Sequence, residues 1–200
     1  QGFNHQVPAN IVMFTLVIVF IYASEIIVDE RKRGILRRIQ AGPISSNVLF
    51  FGKLLGITLV GLVQITLLVL AGKLFFGIHY GESFLALFLI AVLFAACVGA
   101  IGLCLGALIK DREKLTGMAL VVALAMAALS GCWWPIEIVP PGMAVIADVL
   151  PSGVALQALH QLISYGNGLS AITGHLIQLA LTTLGFAVVF RLLLVRLREV

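Results

Sequence analysis

Apolar residues in this chain fall into five blocks, at 8–28, 54–76, 84–109, 115–133 and 170–194, separated by polar joints. An α-helix rises ~1.5 Å per residue, so about 20 apolar residues cross the roughly 30 Å hydrocarbon layer of a bilayer. Each block therefore predicts a transmembrane helix, and the chain reads as an all-α, polytopic helical bundle with five spans. The joints are a charged segment that begins at Asp29, short turns at 79–83 and 110–114, a long stretch at 134–168 and the tail 196–200.

Two joints carry more pattern than a connector needs. The first runs Asp29-Glu30-Arg31-Lys32-Arg33-Gly34-Ile35-Leu36-Arg37-Arg38-Ile39, and its acidic start, basic middle and apolar Ile35, Leu36 and Ile39 predict an interfacial helix within 29–47. In the second, 134–168, prolines divide the apolar sequence into pieces too short to span. They predict either an ordinary capping loop or, in better accord with the short apolar pieces, a helical hairpin dipping back into the outer leaflet, with Trp133 and Trp134 at headgroup level.

Composition supports a membrane protein: 61% of residues are hydrophobic and 11% charged, and mean hydropathy is +1.13. Soluble domains are about half apolar and a quarter charged. The net charge of +4 does not point to nucleic acid, because the cations sit in joints between spans, where membrane orientation accounts for them. Arg31, Lys32, Arg33, Arg37, Arg38 and Lys53 mark one cytoplasmic joint, Lys110, Arg112 and Lys114 a second, and Arg191, Arg196 and Arg198 the C-terminus. Lys73 alone falls on the other side. The N-terminus is thus expected outside and the C-terminus inside, and an outside N-terminus needs an earlier span, so a sixth is expected upstream of Gln1.

Small residues predict where helices touch: Ala91, Ala95, Gly99, Gly102 and Gly106 in the third block, and Ala119, Ala123, Ala127 and Gly131 in the fourth. Catalytic chemistry is absent from the pattern. No HExxH, nucleophile elbow or paired carboxylates at a useful helical spacing are expected from it, and Gly52-Lys53-Leu54 and Gly72-Lys73-Leu74 lack the Ser or Thr of a phosphate-binding loop. Cys97, Cys104 and Cys132 fit neither a disulfide framework nor a metal spacing, so no catalytic, cofactor or metal site is expected. Two polar residues within spans stand out. Gln64 lies mid-span, facing either another helix or a substrate path, and Glu25 lies about one turn inside the cytoplasmic boundary, where a carboxylate needs a partner such as an arginine.

At these residues the chain resembles the membrane subunit of type-2 ABC exporters, of the bacterial multidrug-export kind. Glu30-Arg31-Lys32-Arg33-Gly34-Ile35-Leu36 is similar to that family's Glu-Arg then Gly-Thr-Leu coupling signature, with Ile35 in place of Thr, and Pro43-Ile44-Ser45 to the residues that end the coupling helix. Gly131-Cys132-Trp133-Trp134-Pro135-Ile136-Glu137-Ile138-Val139-Pro140-Pro141 resembles its outer motif. The resemblance covers nearly the whole chain and implies one permease domain over 1–200, lacking the family's first span and a periplasmic domain. It implies a cytoplasmic coupling helix at 29–47 and a re-entrant outer hairpin at 134–168. Glu25, Glu30, Arg31, Arg33, Gly34, Leu36 and Arg37 become candidates for ATPase coupling, and Trp134, Pro135, Glu137, Pro140 and Pro141 for the hairpin. Gln64 stays a candidate for the substrate path.

The implied protein sits in a bacterial inner membrane among lipids, binds no cofactor and no nucleic acid, and exports amphipathic drugs or lipids. A separate ABC ATPase subunit would consume the ATP, and a second permease subunit would complete the pore. An ion- or proton-driven secondary transporter is one alternative, needing an intramembrane acid that only Glu25 approaches. A non-transporting scaffold whose basic segment binds anionic lipid is another.

Overall fold

A computed structural model describes residues 2–42, 45–78, 80, 83–134 and 141–198. Among the described residues eight helices follow in order: α1 (Gly2–Lys32), α2 (Ile35–Ala41), α3 (Ser46–Phe76), α4 (Phe84–Leu108), α5 (Arg112–Leu129), α6 (Pro141–Val149), α7 (Pro151–Ile163) and α8 (Leu169–Arg198). No strand occurs among the described residues.

Four of these helices, α1, α3, α4 and α8, are long and apolar enough to cross a membrane. The fifth expected span corresponds to α5, whose 18 residues carry Arg112, Glu113 and Lys114 in the first turn. Its N-cap is Asp111, which accepts from the amides of Glu113 (3.0 Å) and Lys114 (3.5 Å) and so satisfies donors that a helix start leaves open. Ser45 and Ser83 cap α3 and α4 in the same way.

The charged segment divides differently from the single helix its pattern suggested. Asp29 to Lys32 continue α1; the chain then turns at Gly34, whose φ of 68° is left-handed, and restarts as α2. A residue with a Cβ adopts that conformation only at a cost, which is why glycine stands at the bend. The turn is closed by Arg33 N–H to Asp29 O (2.9 Å) and Gly34 N–H to Arg31 O (3.1 Å). Gly77 ends α3 with the same backbone geometry, φ 63°.

Packing follows the small residues. Helix α4 stands at the centre, against α1, α3, α7 and α8. Its Ala95 meets Gly61 of α3, Gly99 meets Ile57, Gly102 meets Phe20 and Ala23 of α1, and Gly106 lies against the backbone of Ser24. Ala119, Ala123 and Ala127 of α5 are fully buried, and α1 is the helix α5 packs against most. By contrast Gly52 and Gly56 face open space, so their spacing makes no contact within this chain. The apolar spans of α1 and α4 are about half buried, whereas those of α3 and α8 are mostly exposed. Leu55, Leu59, Val63 and Leu67 on α3 and Leu181, Leu184 and Val188 on α8 form those outward faces, the pattern of helices that meet lipid tails.

Helices α6 and α7 form a tight pair broken at Leu150, with Pro151 opening α7, where a missing N–H costs nothing. Gly153 sits directly on the carbonyl of Ala147, a closeness that excludes any side chain there. Almost every residue of α7 is buried, because it lies against α1, α4 and α8 as well as α6.

Candidate functional site

The C-terminal end of α1 gathers the ionic contacts found among the described residues. Contrary to the expectation of no carboxylates paired at a helical spacing, Glu25 and Asp29 are one helical turn apart, so their carboxylates share a face, and both meet Arg112 at the start of α5. The guanidinium donates through Nη1 to Asp29 Oδ1 (2.8 Å) and through Nη2 to Glu25 Oε2 (3.1 Å). Thr116, one turn further along α5, donates its hydroxyl to Glu25 Oε1 at 2.5 Å. A planar fork suits this bridging better than an ammonium would. Glu30, on a neighbouring face of α1, pairs with Lys53 of α3, and Lys53 is 8% exposed.

A third tether joins α1 to α4. Arg31 Nη2 donates to the carbonyl of Ala107 at 3.1 Å, one of the last carbonyls of α4, which a helix end leaves unbonded and partially negative. The last two turns of α1 are therefore bonded to α3, α4 and α5 at once. Beside them lies a recess of about 350 Å³ lined by Tyr22, Glu25, Ile26, Asp29, Glu30, Arg33, Ile35 and Arg112.

Helix α2 leaves from this clustered end. Leu36 is buried, whereas Ile35 is on the edge of exposure; Arg33 is exposed and has no ion pair among the described residues. Arg37 lies on α2, and its side chain is outside the described set. The structure thus brings Glu25, Glu30, Arg31, Arg33 and Gly34 together at one end of α1, with Leu36 one helix on.

Sequence reasoning gave Glu25 the need for an arginine without identifying it. Arg112 is 87 positions away, and the only signal for it was its place at a helix start on the same membrane side. Lys53 is legible in the sequence only as a cation of the joint and Asp29 only as its acidic start, and no pattern marks Thr116.

At the opposite end, Trp134 is half exposed and packs edge-on against Trp133, with ring centroids 5.8 Å apart. Trp133 Nε1 donates to the Met13 sulfur at 3.1 Å. Pro135, Glu137 and Pro140 lie outside the described residues, and Pro141 opens α6. Two buried hydroxyls, Ser130 at the end of α5 and Ser152 at the start of α7, hydrogen-bond to each other, and Ser130 donates to Met126 O at 2.6 Å. Gln178 of α8 donates to the Asp148 carbonyl at 2.6 Å, and Gln157 to the Asp148 carboxylate at 2.8 Å.

Gln64 is half buried, and its Nε2 donates to the Phe14 carbonyl at 2.9 Å, tying α3 to α1. No group of three or more metal-ligating side chains converges among the described residues.

Residues 1–192 match the family model described as ABC-2 family transporter protein. The linearmycin resistance permease protein LnrN of Bacillus subtilis is 29% identical over 152 residues, which cover 76% of this chain and 39% of that protein. The probable multidrug ABC transporter permease YbhS of Escherichia coli is 25% identical over 162 residues, 80% of this chain and 43% of that protein. ABC transporter G family member 20 of Dictyostelium discoideum is 28% identical over 142 residues, 71% of this chain and 20% of that protein. The chain spans about two fifths of the length of the two bacterial relatives.

Proposed function

Because this chain belongs to the ABC-2 transporter family, we propose that it is the part of an export permease that receives the force of ATP hydrolysis and converts it into movement of helices. A separate ABC ATPase docks at α2, and amphipathic compounds, drugs or lipids, leave the cytoplasm through a pore completed by a second permease subunit. Five spans, counting α5, cross a bacterial inner membrane, with α6 and α7 re-entering the outer leaflet. The chain itself carries no catalytic residue and binds no cofactor.

One observation carries this reading: α2 springs from the end of α1 across a single left-handed glycine, and that end is bonded to α3, α4 and α5. A push on α2 reaches α1 through a two-residue bend, and α1 cannot move alone. A bistable arrangement driven at such a point switches helices together.

Glu25 is bonded to the Arg112 guanidinium and the Thr116 hydroxyl, which supports a role in joining α1 to α5.

The test is charge reversal at Arg33, the exposed cation within the bend. With the cognate ATPase co-expressed, Arg33→Glu lowers dye export and substrate-stimulated ATP hydrolysis while the amount of protein in the membrane stays unchanged. Normal pumping by that variant rules out the coupling role. Glu30→Lys is a poorer probe alone, because it also breaks the pair with Lys53, so it is read beside the swap Glu30→Lys with Lys53→Glu, which restores opposite charges.

A further inference from the structure

We propose that α5 is the strut that carries movement from the inner end of α1 to the outer α6–α7 pair, with Arg112, Ser130 and Ser152 as its positioning residues. This inference rests on the export reading above. Helix α5 is fastened by polar bonds at its two ends: Arg112 and Thr116 hold Glu25 and Asp29 at the inner end, and Ser130 holds Ser152 at the outer end. Between them, at 18 residues and ~1.5 Å each, lie roughly 27 Å of helix, and the residues buried there are Leu115 in the first turn and then Ala119, Ala123 and Ala127.

Alanine side chains fix how near two helix axes come, but they present shallow ridges and so resist sliding along the axis weakly. The register of α5 is then set in its first turn, where Leu115 is fully buried and the Arg112 fork spans two carboxylates of α1 one turn apart. At the far end the register against α7 is set by the serine pair, 1% and 0% exposed. Ser152 stands in the first turn of α7, next to Gly153, which is locked onto Ala147 of α6. A displacement of α5 along its axis is therefore delivered to the turn between α6 and α7. The serine bond stays closed through the cycle, since a strut that releases its load transmits nothing.

The experiment replaces Cys97, Cys104 and Cys132 by alanine in the full-length protein, then introduces Ser130→Cys with Ser152→Cys, and measures rhodamine 6G moved per ATP hydrolysed in inverted vesicles with the partner ATPase. Reduced, the thiols hydrogen-bond weakly, and dye moved per ATP falls about fivefold, the factor that about 1 kcal/mol represents. Oxidation to the disulfide returns the ratio to near that of the cysteine-free parent. A disulfide that stops transport while hydrolysis continues shows the pair to be a gate that opens, and overturns the proposal, as does a ratio unchanged in both redox states. Arg112→Lys, which keeps the charge but not the fork, lowers the same ratio at unchanged protein abundance; an unaltered ratio there also overturns it. A parent complex that moves no dye with ATP refutes the export reading itself, and the strut with it.

Discussion

Gly106 is where the closeness of α1 and α4 is most exacting. A Cβ built there falls 2.1 Å from the carbonyl oxygen of Ser24, 2.9 Å from its carbonyl carbon and 3.1 Å from its Cα. These are backbone atoms of a helix, so no side chain turns aside to make room; α1 and α4 have to move apart by about 1 Å to reach ordinary contact distance. Overpacking of this kind costs about 1–3 kcal/mol, and the lost contacts extend to Gly102, which sits on Phe20 and Ala23 of the same helix. Against this, Gly→Ala inside a helix gains up to about 1 kcal/mol of propensity. Gly117 of α5 supplies the control, since nothing lies within 4 Å of a Cβ there. Gly106→Ala is therefore expected to lower stability by about 1–2 kcal/mol, or roughly 2–8 °C in melting temperature for a chain of this size, while Gly117→Ala leaves it equal or higher. Thermal unfolding of the detergent-solubilised protein, followed by loss of the monodisperse peak, reads both. Equal melting temperatures for the two variants refute the claim that α1 and α4 touch through backbone at Gly106.

The remaining predictions concern single contacts. Lys53→Met strands the Glu30 carboxylate and is expected to cost about 3 kcal/mol, with Lys53→Met plus Glu30→Gln costing less than the single change; folded yield and melting temperature check the pair. Gly34→Ala forces a Cβ into a left-handed turn at about 1–2 kcal/mol, and Gly34→Asn recovers part of it; because nothing crowds the position, a melting temperature as low for Asn as for Ala would refute a backbone origin. Gln64→Leu removes one interhelical hydrogen bond and is expected to lower stability by only about 0.6 kcal/mol; unchanged dye preference in a transport panel identifies it as a tie between α3 and α1, and altered preference as part of the path.

How much of this was legible in the sequence depended on the range of the interaction. Blocks of apolar residues predicted the long helices, because hydropathy over some 20 positions is a local sum. The faces of α4 and α5 were legible as spaced Ala and Gly, since small residues pack against whatever helix comes. Their partners were not: that Ala95 and Gly99 meet α3 while Gly102 and Gly106 meet α1 depends on helices far apart in sequence. The bend at Gly34 was hidden for a different reason. The charged segment has helical character on both sides, and a single left-handed residue between two helical stretches leaves no mark on periodicity; only the glycine itself hinted at it. Nor did spacing along the chain connect Glu25 to Arg112 or Ser130 to Ser152, because each pair joins different helices.

The pairing of charges at the C-terminal end of α1 separates two tasks that the basic composition of the segment had merged. Orientation by the positive-inside bias would require only that cations stay on one side of the membrane, and exposed Lys32, Arg33 and Arg38 would meet that requirement. Asp29 and Glu30 gain nothing from it, and a carboxylate at Glu25 costs free energy unless it is held. All three acids are bonded to cations on α5 or α3, so their value lies in joining helices. Such a joint, with Arg112 nearly half exposed, is weak in bulk water and becomes firmer as the surrounding recess loses water. On the proposed reading, a protein docking over α2 and covering Arg33 and Ile35 would dry that recess and stiffen the joint when force is applied, which suits the placing of the paired charges beside the bend.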